Sequence, residues 1–122
     1  GPQVGLGETC VSNDAYNNLP IKIENTSNTG TKAKVFAAAP GSGGWNIASA
    51  PGPDTFAVRA KLGANGQHTL ASLAVELTDT TRLAKGADQA LVLTLLTPTT
   101  ITATTDFGVD KTIPVILTAS PE

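Results

Sequence analysis

The sequence predicts an all-β fold, a two-sheet antiparallel β-sandwich, and three observations carry that expectation. Apolar residues recur with the two-residue period of strands, and never at helical spacing over more than about two turns. Turn formers interrupt the chain roughly every 8–12 residues, the spacing of short sandwich strands. The length of 122 residues suits one domain with one core.

Each predicted element follows from its own pattern. Leu19, Ile21 and Ile23 alternate with Pro20, Lys22 and Glu24. Ala33, Val35 and Ala37 alternate with Lys32, Lys34 and Phe36. Phe56, Val58, Ala60 and Leu62 alternate with Thr55, Ala57, Arg59 and Lys61, the clearest pattern with one face buried. Leu70, Leu73, Val75 and Leu77 lose phase near Ser72, which predicts a bulge or a change from loop to strand. Ala90 to Leu96 is nearly continuous aliphatic, as in a central strand covered on both sides, and Ile113, Val115, Leu117 and Ala119 alternate again. Between these runs stand Asn25–Gly30, Pro40–Gly44, Pro51–Asp54 and Gly63–Gly66, segments of Gly, Asn and Pro that favour turns. Asn65-Gly66 is the pair that a type I′ hairpin prefers. Leu83-Ala84-Lys85-Gly86-Ala87 reads as a tight turn into the aliphatic strand.

Composition narrows function. Charged residues are 15% of the chain, against about 25% in an average soluble protein. Thr (18), Ala (17) and Gly (12) take their place. On a strand, a threonine methyl covers the sheet while its hydroxyl faces water. Aromatics are only 4%, so 26 Leu, Ile and Val residues must supply the core. A net charge of −2 argues against nucleic acid, whose affinity comes mainly from lysine and arginine on phosphates. It also removes polybasic attraction to anionic lipid. No apolar run approaches the ~20 residues of a membrane helix, so no membrane insertion is expected.

An inventory of reactive side chains removes most enzyme classes. One histidine, His68, one cysteine, Cys10, and no methionine cannot build a blue-copper site, and they leave too few nitrogen and sulfur ligands for zinc. No serine lies in Gly-x-Ser-x-Gly, and a Cys10–His68 dyad has no recognisable surroundings. Gly5-Leu6-Gly7-Glu8 stops short of a phosphate loop. Asp106 and Asp110 are too few for calcium's six to eight oxygens and read as an acidic turn. No cofactor is expected, and the chain is not expected to be an enzyme. Trp45, after Gly41–Gly44, either stacks on a ligand or plugs one end of the sandwich, and the second reading is preferred. His68, beside a turn, is expected to be a solvated residue at a strand end.

The first 18 residues differ from the rest. Val4, Leu6 and Val11 are their only aliphatics, which predicts a frayed tail or a segment that pairs with something else. The expected organisation is therefore an N-terminal extension over 1–18, a candidate donor strand, and a β-sandwich over 19–122. Gly1-Pro2 reads as a signal-cleavage product or the remnant of a cleaved tag, and the low charge and absence of Met favour secretion. A lone Cys10 is a small buried side chain, a free thiol or a cross-link between molecules. Asn25-Thr26-Ser27 matches the glycosylation sequon.

Two fragments carry a resemblance. Ile21-Lys22-Ile23-Glu24-Asn25-Thr26 resembles a strand closed by an Asn-Thr turn. Leu83-Ala84-Lys85-Gly86, followed by Ala90-Leu91-Val92-Leu93-Thr94-Leu95 and ended by Pro98, resembles a Leu-x-x-Gly turn feeding an aliphatic strand. Both are similar to elements of secreted bacterial and archaeal immunoglobulin-like domains. The block from Gly44-Trp45 to Leu62 is similar to small secreted proteins of environmental bacteria. The resemblance implies an immunoglobulin-like sandwich of the kind used in surface layers, adhesins and pilus-like filaments, where one subunit's strand completes the next subunit's sheet.

The expected role is a structural subunit of an extracellular, self-assembling filament or surface layer. Its partner is the chain itself, a homo-oligomer or polymer, joined by strand donation or augmentation. The expected interface residues are Val4, Leu6, Cys10, Val11 and Tyr16 in the extension, with Ile113, Val115 and Leu117 as an alternative donor run. The competing expectation is a non-catalytic binding module for carbohydrate or a receptor, or a virion decoration protein, with Trp45 or Tyr16 on a concave face.

Overall fold

The computed structural model describes residues 6–12, 21–26, 32–39, 45–102 and 113–121. They form ten strands and, among the described residues, no helix. In chain order these are β1 (Thr9–Val11), β2 (Ile21–Glu24), β3 (Lys32–Ala38), β4 (Asn46–Ile47), β5 (Thr55–Leu62), β6 (His68–Thr69), β7 (Val75–Glu76), β8 (Leu83–Ala84), β9 (Asp88–Leu96) and β10 (Ile116–Pro121).

Two sheets form, in a β-sandwich-like arrangement. In the first, β9 and β5 are central, β1 and β2 both pair with the outer side of β9, and β4 and β6 pair with β5. In the second, β3 is central between β10 on one side and β7 and β8 on the other. All pairings between strands are antiparallel except β4 with β5. There Asn46 aligns with Thr55 and Ile47 with Phe56 in parallel, a departure from the antiparallel expectation. The Pro51–Asp54 turn explains it in part: Asn46 N–H donates to Asp54 O and Ala48 N–H to Phe56 O, so the chain loops back alongside its own start.

The core lies where the alternation of β3, β5 and β9 predicted it, whereas Leu73 and Leu117 of the other runs are exposed. Phe56, Val58, Ala60 and Leu62 of β5 meet Val35 and Ala37 of β3, with Leu70, Leu77, Leu83 and Leu91 filling between them. Strand β2 alternates half-buried Ile21 and Ile23 with exposed Lys22 and Glu24. Trp45 is half-buried against this cluster, its ring 6.4 Å from that of Phe56 and tilted by 50°. The indole packs against the core cluster. The loss of phase near Ser72 is the expected change from loop to strand and not a bulge: residues 70–74 form no strand and cross from β6 in the first sheet to β7 in the second.

Three buried or strained residues fix the loops. Asn65 is not in a type I′ turn, because the positive φ of its loop falls on Gly63 at +56°. Its side chain has no solvent exposure and acts as a hub. Nδ2 donates to Leu62 O at 2.8 Å and Thr81 O at 3.0 Å and approaches Gln89 Oε1 at 3.3 Å. Oδ1 accepts the N–H groups of Thr80 at 2.9 Å and Thr81 at 2.6 Å. Asn25, 7% exposed, donates through Nδ2 to Leu83 O at 2.9 Å. The amide nitrogen that a glycan would take is thus buried and already bonded. Asp54 adopts φ +50°, and its carboxylate accepts from the N–H (2.9 Å) and hydroxyl (2.5 Å) of Thr102.

Candidate functional site

The surface feature with the most potential for a role is one flank of the molecule, where a margin of each sheet meets solvent. Strand β10 pairs with β3 from Ile116 opposite Ala38 to Pro121 opposite Ala33. Among the described residues nothing pairs with its other side. Directly opposed residues share a face, so Leu117 and Ala119 lie on the inner side with Ala37 and Val35. Yet Leu117 is 37% exposed although Ala37 opposite it is buried, and Ile116, opposite Ala38, is 51% exposed. The sheets part here. A groove of about 330 Å³ opens between Ile23 and Asn25 on one margin and Ala33, Val35, Ala119 and Ser120 on the other. A second, of about 200 Å³, is walled by Cys10, Val58, Leu93 and Leu95 opposite Ile113 and Val115.

The interface residues expected from sequence divide among several places. Cys10, Ile113 and Val115 meet around the smaller groove, and Leu117 lies on the same margin one strand turn further on. Ile113 and Val115 precede β10 and are half-buried against the core. Val11 is half-buried on β1. Leu6 is 45% exposed in a turn whose next residue, Gly7, has φ +66°. Val4 and Tyr16 lie outside the described residues, as do Asp106 and Asp110.

The extension has a partner that sequence reading missed. Thr9, Cys10 and Val11 pair with Leu96, Leu95 and Thr94 of their own chain. Thr97 closes one end: its N–H donates to Glu8 O at 3.0 Å, and its hydroxyl accepts Glu8 N–H at 2.9 Å. Ser12 closes the other: its N–H donates to Leu93 O and its hydroxyl accepts Leu93 N–H at 3.0 Å. Two hydroxyls thus make a strand from a segment too short and polar to be legible as one. Their signal, a Thr and a Ser flanking the pairing, becomes readable only once the register is known.

The remaining chemistry is sparse. His68 Nε2 lies 3.1 Å from Asp79 Oδ2, and Asp79 Oδ1 accepts Gly66 N–H at 3.1 Å. Burial raises the Asp79 pKa, but the Gly66 N–H and the charge and hydrogen bond of His68 together outweigh it and hold the carboxyl below its usual 3.8. The Thr102 hydroxyl, then the Thr102 N–H, hold Asp54 below the same value. The Cys10–His68 dyad is excluded: β9 and β5 stand between β1 and β6, three strand spacings or about 14 Å. Among the described residues no group of three or more His, Cys, Asp or Glu is placed to hold a metal. No helix there is long and apolar enough to cross a membrane.

Comparison of the chain with protein-family models, with curated proteins and with solved structures finds no match in any of the three.

Proposed function

We propose that this chain is the structural subunit of an extracellular filament or surface layer, immunoglobulin-like in class, whose copies join sheet edge to sheet edge. The observation that carries the reading is β10. It is six residues long, contains no charged side chain, exposes Ile116 and Leu117, and presents an unpaired ladder among the described residues. Proteins that must remain single blunt such edges with lysine, proline, short strands or bulges, and of these β10 carries only the proline at its end. Strand β2, on the facing margin, does carry Lys22 and Glu24 on its exposed face.

The occupant is the segment ahead of Gly7 in the next copy, with Val4 and Leu6 as apolar pegs. Residues 1–6 contain no charge, so they meet β10 without repulsion. They precede Gly7, whose φ is positive and whose N–H donates to Pro98 O at 2.9 Å, so donating them leaves β1 in place. A strand passed from copy to copy is a head-to-tail contact that does not close on itself and builds a fibre. Main-chain bonds supply affinity, and Leu117 and Ala119 supply register. An assembly of this kind needs no reactive side chains and no cofactor.

The test is sedimentation velocity over a concentration series, with electron microscopy of the same samples. The wild-type chain is expected to form elongated assemblies. Deletion of residues 1–6 and, separately, Leu117→Lys are each expected to leave folded monomers. A wild-type chain that stays monomeric at every concentration, or assemblies that survive both changes, would overturn the reading.

A further inference from the structure

Independently of any assembly, we infer that Asn65-Gly66 is a latent covalent modification site, a deamidation switch that the fold holds closed and that unfolding releases. It is the only Asn-Gly pair in the chain. The reaction needs no enzyme. The Gly66 backbone nitrogen loses its proton and attacks Asn65 Cγ. A carbon–nitrogen bond forms, the Cγ–Nδ2 bond breaks and ammonia leaves with the proton. Water then opens the cyclic imide to aspartate or isoaspartate. Glycine makes this fast, because it has no Cβ to hinder the approach and its backbone is the least restricted.

In the folded chain both reacting groups are engaged. The nucleophile, Gly66 N–H, donates to Asp79 Oδ1 at 3.1 Å. The electrophile is fixed by its hub, with Oδ1 accepting two N–H groups and Nδ2 facing three oxygens, at zero exposure to water. Asp79 approaches so closely that a Cβ on residue 66 would lie 3.0 Å from its Oδ2.

The product cannot refill the site. Aspartate at 65 keeps acceptors for Thr80 and Thr81 and the backbone N–H that donates to Leu62 O, but loses the side-chain donor to Leu62 O and Thr81 O. A carboxylate would face carbonyl oxygens in a buried position, where unpaired charge is strongly disfavoured. Isoaspartate would also lengthen the backbone by one atom within a loop held at both ends. Unfolding that outlasts the reaction therefore becomes irreversible.

The experiment compares the full chain folded and in urea, in the same mildly alkaline buffer, with deamidation at Asn65 read by mass spectrometry of digests. The folded chain is expected to react at least about tenfold more slowly, since reaction through an opened state scales with its population. Asp79→Ala frees the Gly66 N–H and is expected to speed the reaction in the folded chain only. Gly66→Ala is expected to suppress it in urea. After increasing times in urea, the refoldable fraction of wild type should fall in step with deamidation, while Gly66→Ala keeps its refoldable fraction. Equal rates folded and unfolded would overturn protection. An unslowed Gly66→Ala would overturn the imide route. Full refolding of deamidated chain would overturn the switch.

Discussion

The β5–β9 pair and the β10–β3 pair are each aligned over six residues, from Ala57–Leu62 against Leu96–Leu91 and from Ile116–Pro121 against Ala38–Ala33. Their surroundings differ. Strand β9 is paired again on its far side by β1 and β2, and β5 turns Phe56, Ala60 and Leu62 into the core at no exposure. Strand β10 has the same ladder on one side, and its apolar side chains are half in water. Backbone pairing alone therefore does not bury a strand. A second neighbour and a facing sheet do, and β10 has neither in full.

Five outcomes break or sharpen that contrast. The largest is Phe56→Ala, expected to cost about 3–5 kcal/mol by urea denaturation, because its side chain is fully buried in the core. Leu117→Ala, the same kind of truncation on β10, should cost less than about 1 kcal/mol. Asn65→Ala comes next, at about 2–3 kcal/mol, since it leaves Thr81 O and the Thr80 and Thr81 N–H groups without the partner that Asn65 gives them. Thr97→Val removes the hydroxyl that receives Glu8 N–H and should cost about 1 kcal/mol. Hydrogen exchange should place that loss at β1 and leave β5 protected. The smallest effect is acid dependence. Asp54 and Asp79 have folded pKa values below the ordinary 3.8. Each therefore adds stability that is present above that value and disappears as pH falls through the folded value. Thermal melts of wild type and Asp79→Asn should differ at neutral pH and converge as the pH drops well under 3.8.

What was legible in the sequence is what a period of two can report. Strands β2, β3, β5 and β9 have one face toward the core or are covered on both, so Ile21, Val35, Phe56 and Leu91 mark them directly. Strands β4, β6, β7 and β8 have two residues each and no period to read. Their places depend on contacts distant in sequence. The same holds for β1, which two hydroxyls attach to a strand 89 and 81 residues away. Asn65 misled because Asn-Gly is read locally as a turn, whereas its amide is held by groups at 80, 81 and 89. At the candidate site, the alternation at Ile113, Val115 and Leu117 was visible. Their half-exposure was not, because it is set by the gap between two sheets and not by the residues themselves.

The topology also has a consequence for synthesis on the ribosome. Strand β1 must wait for β9, and β3 for β10, each some eighty residues later in the chain. At roughly 5–20 residues per second, that is a delay of about 4 to 16 seconds. Throughout it the emerged segments expose unsatisfied amides beside ribosomes and other nascent chains. A polypeptide whose first two strands are short and whose third is mostly lysine and alanine, with its long aliphatic run held back until residue 90, keeps adhesive sequence scarce during that interval.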